Sequence, residues 1–592
     1  MHDMIIRGGT IVDGTGAAPF AGDVAIDNGL IVAVGAKLEG EARETIDAGG
    51  AIVTPGFIDI HTHYDGQFIW DQQLEPSFSN GVTTAIAGNC GVGFAPADPQ
   101  YRTRLVEMME GVEDIPGIVL DEGLDWNWRS FPDYLDRLDA NAYTMDVAAH
   151  LAHAPLRVAV MGERAISHEP ATDADLAEMQ RIVREAMDAG AVGVSGSRIL
   201  EHKSSKGEFV PGTFAEDREL IAIAEAMGET GKGVFQIVPL GCSGDTVGTQ
   251  IPTEERLGEH ARFERIAEAA GRPVTYLLHS HNHAPDEWRT MIAASEAAND
   301  RGLDIHPQVA ARGVGLLLAL DGYHIFQPRP SYMAIAHLPR AERAAAMRDP
   351  ERRRAILSEA AVPPEQAPSL RIHGLAERFR QVLDRYYVMK PPLDYEPGPE
   401  QRLDVIAEAT GRTMEEVLYD TFSEGNGGNM AADFAMNYTG GSLDSVRDML
   451  AHPDTVSGLG DGGAHLLMIC DAAMTTFHLS FWSRDRKRGP TLPLETMVAK
   501  LTGASAALYG LADRGTIAVG KRADINVIDF DRIDNEMPEM VFDLPLGSGR
   551  MVQGARGYRA TIVKGVVTRR DDQDTGARPG RLLRMKAFAE AA

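Results

Sequence analysis

The sequence predicts an α/β fold: a TIM-type (β/α)8 barrel with a small β-sandwich built from both chain ends. Three features point there. The middle of the chain alternates short apolar strands with stretches of helical periodicity. Eight strand candidates can be placed in it, the number that closes such a barrel. Both ends instead alternate in short strand-like runs broken by glycine.

The opening runs MIIRGGTIVDG, DVAIDNGLIVAVG and AIVTPG read as strands and place residues 1–55 in the β-sandwich. The barrel follows over 56–512, with strands expected at 57–63, 83–89, 147–152, 191–195, 234–238, 274–278, 303–306 and 457–460. Thr172 or Asp173 can cap a helix whose apolar residues Leu176, Met179, Ile182, Val183, Ala186 and Met187 share one face, and Gly190 can end it. Helices at 217–227, 259–270 and 287–299 repeat the rhythm. Such alternation calls for parallel strands joined by right-handed crossovers.

Residues of about 312–450 break the pattern with RAERAAAMRDPERRRAIL and the proline-rich MKPPLDYEPGPEQ. They read as an insertion between the last two barrel strands, suited to a lid or an oligomer contact. GTIAVGKRADINVIDFD and ATIVKGVVTRR return to strand alternation, so residues 513–592 complete the β-sandwich.

A net charge of -29 argues against nucleic acid and anionic membranes, because phosphate contacts need clustered Lys and Arg. Three widely spaced cysteines are no disulfide framework and fit a reducing cytoplasm. The start MHDMIIRGGTIVDGTG lacks a signal-peptide layout, and no apolar run reaches the ~18–20 residues that cross a bilayer.

The chemistry concentrates at expected strand ends. In PGFIDIHTHYD, His61 and His63 stand two apart and so point to one face. Two imidazoles in a barrel mouth can grip one metal ion. Cys90, in AIAGNCGVG, ends the next strand; a thiolate is a strong zinc ligand. Asp461, in SGLGDGGAH, can ligate the metal and take a proton from water. LLHSHNHAP offers His279, His281 and His283 on one phase; His279 lies nearest the strand end and is the expected ligand, with His281 the runner-up. Gln236 and His306 end the neighbouring strands and are expected, with His281, to contact substrate. His465 and Asp471 read as supporting residues. GVSGSR lacks the spacing of a serine-hydrolase elbow, and GGTIVDG precedes no helix, so it is not a phosphate loop.

With these residues assembled, the sequence resembles the amidohydrolase superfamily, and within it the N-acyl-D-amino-acid deacylase (D-aminoacylase) group. The likeness runs through IIRGGTIVDGTG, PGFIDIHTHYD, GNCG, GLGDGGAH, KLTGASAALYGLADRGTIAVGKRADINVIDFD and IVKGVV. Most relatives bridge their metals with a carboxylated lysine, whereas this branch uses a cysteine, here Cys90. The resemblance implies one or two Zn2+ ions. His61 and His63 would hold one position, Cys90 would be shared, and His279 would bind the tighter zinc. Asp461 would act as general base and then as acid. The implied substrate is a small N-acyl compound, cleaved to a carboxylic acid and a D-amino acid, and a homo-oligomer is compatible with it.

The chain departs from that branch at two positions. Gln236 stands where a second histidine ligand is expected, and His281 where a lysine would hold the substrate carboxylate. Both favour an alternative substrate: a cyclic amide, carbamate or peptide-like compound. A non-catalytic scaffold is the third reading, disfavoured by the retained HxH and Asp461.

Overall fold

The computed structural model describes residues 1–242 and 251–585. Parallel strands follow in the expected order: Phe57–Asp59, Val82–Ala87, Asp146–Ala149 with Leu151–Ala152, Gly193–Ser197, Val234–Val238, Val274–Leu277, Ile305–Val309 and Val456–Ser457. They are hydrogen-bonded as two parallel sheets, not as one continuous ladder. The split falls at His150, where Asp146–Ala149 pairs with the second strand and Leu151–Ala152 with the fourth. The left-handed Gly88 lies against the His150 backbone, where a Cβ would come within 2.5 Å of the carbonyl oxygen. Between the first and last strands, Thr62 forms a parallel bridge to Gly462, and His63 N–H donates to the Gly462 carbonyl at 2.7 Å.

The crossover helices agree with the periodicity. Thr172 caps Asp173–Ala189 in a reciprocal box with Asp175, and Gly190 ends it in the left-handed region. Asp217–Gly228 and Glu287–Asp300 match closely. Thr253–Ala270 begins six residues earlier than the periodicity suggested; Pro252 and the acidic Glu254 and Glu255 favour that start. The seventh strand is Ile305–Val309, not 303–306, which moves His306 from its end to its beginning.

The stretch after the seventh strand builds its own layer. Val314–Ala319 and Tyr386–Met389 flank Met430–Met436 in an antiparallel sheet. Helices such as Arg340–Met347 and Met414–Ser423 pack beside it, on a separate core that includes Leu318, Phe326, Met347, Phe379 and Phe422. Helix Leu370–Gln381 of this layer reaches back over the mouth of the parallel strands.

The chain ends meet in one nine-stranded sheet that branches at His2–Ile11, where a two-layer sandwich was expected. Ile525–Ile528 pairs with Ile52–Pro55, so residues far apart in sequence share one core around Ile6, Ile26, Val53, Val527 and Ile562. Among the described residues, no helix is long and apolar enough to cross a membrane.

Buried charge ties this sheet to the parallel strands. Arg514 Nη1 lies 2.8 Å from Asp146 and 2.9 Å from Thr84 Oγ1; Arg522 contacts Asp146 at 2.9 Å and Asp524 at 3.0 Å. Removing one partner of such a set leaves its counter-charge buried and uncompensated. Arg514→Met is expected to lower stability by about 3–5 kcal/mol, measured by denaturant unfolding; a loss under 1 kcal/mol would show that this network does not hold the sheets together.

Candidate active site

The two histidines of HTH lie just past the first strand, held by neighbours on both sides. Thr62 N–H donates to Ile86 O, and Asp461 N–H to His61 O at 3.0 Å. His61 and His63 therefore face inward, with ring centroids 5.4 Å apart. The turn after the second strand brings Cys90 beside them, with Sγ 3.2 Å from His61 Nε2. His61, His63 and Cys90 each offer a donor atom within 4.8 Å of the other two, and all three are buried. Asp461 Oδ1 closes on the same point, 3.4 Å from His61 Nε2 and 3.7 Å from His63 Nε2.

The backbone around this point is bent into the left-handed region at non-glycine residues: Cys90 (φ 56°), Leu459 (65°), Asp461 (48°) and His465 (51°). Such conformations cost on the order of 1–3 kcal/mol each and persist where the surroundings impose them. Here they aim Cys90 and Asp461 at the histidines.

Each imidazole is gripped at its far nitrogen. Gln308 Oε1 lies 3.0 Å from His61 Nδ1, and Glu113 Oε1 is 3.3 Å from His63 Nδ1, an ion-pair distance outside hydrogen-bond alignment. An Nδ1–H held this way leaves the Nε2 lone pair for the shared point. Neither partner stood out in the sequence. Gln308 stands two residues after His306, across Pro307, and Glu113 lies at the end of helix Arg102–Glu113, about fifty residues from the histidine it faces.

The charges follow from burial and these contacts. Burial lowers His61 to about 4, against the pull of Asp461. Burial also opposes protonation of His63, but Glu113 and Asp461 outweigh it and hold that ring well above the usual range. Asp461 is likewise pushed up by burial, yet His63 and His61 hold it far below a normal carboxylate. Burial pushes the Cys90 thiol up to about 12, with His63 opposing. A cation entering here must therefore displace protons from His63 and Cys90.

These groups open on a cavity of about 290 Å³. Its remaining walls combine apolar residues such as Ile199, Val238, Leu316, Phe379 and Met436 with charged ones, Glu201, Arg371 and Arg378. His279 lines it, and His279 Nε2 is buried with no hydrogen-bond partner among the described residues. His465 also lines it, 3.7 Å from Glu113 Oε2. Asp471 instead pairs with the buried Arg312 at 3.2 Å.

Three residues expected to meet substrate do not line this cavity. His306 sits at the start of its strand, bonded to Asp304 at 2.6 Å and to the Asp454 carbonyl at 2.9 Å, because the strand register is shifted. His281 stacks on His283, centroids 4.2 Å apart, and lines a neighbouring cavity of about 670 Å³. Gln236 is wholly buried within the fifth strand, and its Oε1 accepts the Cys90 N–H at 3.1 Å. It supports the Cys90 turn.

The sequence matches the profile of the amidohydrolase family over residues 44–569. It is 26% identical over 593 residues to the D-aminoacylase of Alcaligenes xylosoxydans xylosoxydans, across 98% of this chain and 97% of that one. It is 28% identical over 592 residues to the N-acyl-D-glutamate deacylase of the same organism, across 99% and 97%. A solved D-aminoacylase with a binuclear metal center, in which one metal activates and the second attenuates, superposes with a TM-score of 0.63 at 25% identity, across 99% of this chain and all of that one.

Gln308→Leu removes the partner of His61 Nδ1 while keeping the side chain's bulk. It is expected to weaken zinc binding by about 10–100-fold, measured by competition with a chromogenic chelator. Unchanged affinity would mean that the Gln308 contact does not orient His61.

Proposed function

The chain belongs to the amidohydrolase family, and we propose that it hydrolyses the amide bond of N-acyl D-amino acids, releasing a carboxylic acid and the free amino acid. The observation that carries this reading is Asp461, whose Oδ1 lies within 3.4 and 3.7 Å of two imidazole nitrogens that share a point with Cys90 Sγ. A proton acceptor beside a three-donor group at the floor of a cavity is the equipment of hydrolysis. Both deacylase relatives span nearly the whole chain, which supports the same reaction.

The donor set fits zinc: two imidazoles, a thiol and a carboxylate oxygen, each buried or nearly so, with matching soft and borderline character. His61, His63, Cys90 and Asp461 would hold one ion. His279, which lines the same chamber with its buried Nε2 unpartnered, would serve a second position. Bound there, zinc supplies a Lewis acid that polarises the amide carbonyl and lowers the pKa of water from about 15.7 to about 7.

The protein's own groups do the rest. The Asp461 carboxylate accepts the proton of the attacking water and returns it to the departing nitrogen. Glu113 and Gln308 keep both histidine rings from turning. The apolar part of the wall would receive the acyl chain or the amino-acid side chain. Gln236 and His281, which in sequence favoured a cyclic amide, carbamate or peptide-like compound, do not line the chamber.

We read residues 56–512 as one barrel closed through the Thr62–Gly462 bridge, with about 312–450 inserted, and 1–55 with 513–592 as the flanking β-domain. Three buried free thiols support a cytosolic setting.

Purified protein is to be assayed on N-acyl amino acids of both configurations, before and after chelation. The D series is expected to be cleaved, activity to vanish with the metal, and added zinc to restore it. Asp461→Asn is expected to lower kcat by about 10²–10⁴-fold. Activity indifferent to chelation, or confined to the L series, would overturn the proposal.

A further inference from the structure

Beyond the fourth strand, Gly193–Ser197, the chain folds into a small hairpin closed by an antiparallel bridge between Lys203 and Phe209. The Lys203 ammonium lies 4.6 Å from the Phe209 ring centre, and Ser205 N–H donates to Glu107 O at 2.8 Å. Helix Arg102–Glu113 seats against this hairpin backbone to backbone: at Gly111 a Cβ would come within 2.1 Å of Lys203 O. The hairpin base is therefore fixed to the helix that carries Glu113.

His202 stands at that base and lines the catalytic chamber together with His61, His63, Cys90 and Asp461. It lies outside the three-donor group. Its Nδ1 is 3.1 Å from Ser197 Oγ. A serine hydroxyl can donate to an imine nitrogen, and a neutral imidazole then carries its one proton on Nε2. Burial foremost, with His465 and His63 adding to it, lowers His202 to about 3, which keeps the ring neutral at working pH. Nothing in the mechanism above uses this ring, although a neutral, oriented N–H donor at a chamber wall suits an oxygen gaining negative charge.

We propose that His202 is a catalytic residue: its Nε2–H hydrogen-bonds the scissile carbonyl oxygen as charge gathers there, and Ser197 sets its tautomer. This rests on the deacylase reading and adds to it a protein donor on the wall of the same chamber. The interaction is stronger in the transition state than with bound substrate, so its loss falls on kcat more than on KM.

The test compares wild type with His202→Leu, which removes the donor, and His202→Gln, which retains an amide N–H. His202→Leu is expected to lower kcat by about 10²–10³-fold with KM, zinc content and circular dichroism little changed. His202→Gln is expected to recover most of the loss. A kcat for His202→Leu within about threefold of wild type, or a loss that only tracks missing zinc, overturns the assignment. If wild type cleaves none of the N-acyl panel, the deacylase reading fails instead. Binding of a phosphonamidate analogue of N-acetyl-D-leucine then decides the role of His202. Affinity at least tenfold weaker in His202→Leu supports it, and equal affinity, or no binding by either protein, overturns it.

Discussion

Donor atoms from distant strand ends converge in a buried chamber, and the rest of the structure works to hold them there. Burial opposes every charge in the site, as the lowered His61 and the raised Cys90 and Glu113 record. Such a cluster is tolerated because groups of opposite charge face one another within it. Asp461 faces both histidines, Glu113 lies beside His63, and Gln308 takes the far nitrogen of His61. The same logic extends to His279, whose Nδ1 lies 3.3 Å from Cys242 Sγ while Nε2 is left for the chamber. Three imidazoles are thus held from behind, so their open nitrogens are positioned before any cation arrives.

That convergence depends on backbone geometry few residues adopt willingly. Cys90, Leu459, Asp461 and His465 sit in the left-handed region at the ends of the second and eighth strands. The strain is balanced by the sheet beneath and by contacts such as Asn89 Nδ2 to the Thr62 and Ile86 carbonyls. The long layer after the seventh strand completes the chamber from above. Helix Leu370–Gln381 lays Leu375 and Phe379 over it, and Arg371 pairs with Asp114, the neighbour of Glu113. A stretch that breaks the strand–helix rhythm is therefore part of the chamber's wall.

Much of this was legible in the sequence, and the failures are instructive. The HTH pair, the GNCG cysteine and the GDGG aspartate stand beside apolar strands in short motifs, and all of them reach the site. His306 failed because a strand's register cannot be read from an apolar run interrupted by Pro307; a shift of two residues moved it to the wrong end. Gln236 points from the predicted strand, yet its carboxamide serves the Cys90 backbone instead of the chamber. Glu113 and Gln308 carried no local signal, because each acts on a histidine dozens or hundreds of residues away.

The sequence by itself determined the alternation of strands and helices, the meeting of the two chain ends in one β domain, and a set of candidate cation ligands. Periodicity and motif spacing are local properties, and they survive without knowledge of the fold. Only the tertiary structure decided which nitrogen each histidine presents, which carboxylates face them, and which polar side chains turn away. Those choices depend on distances of 3–4 Å between segments far apart in the chain, and no local pattern encodes them.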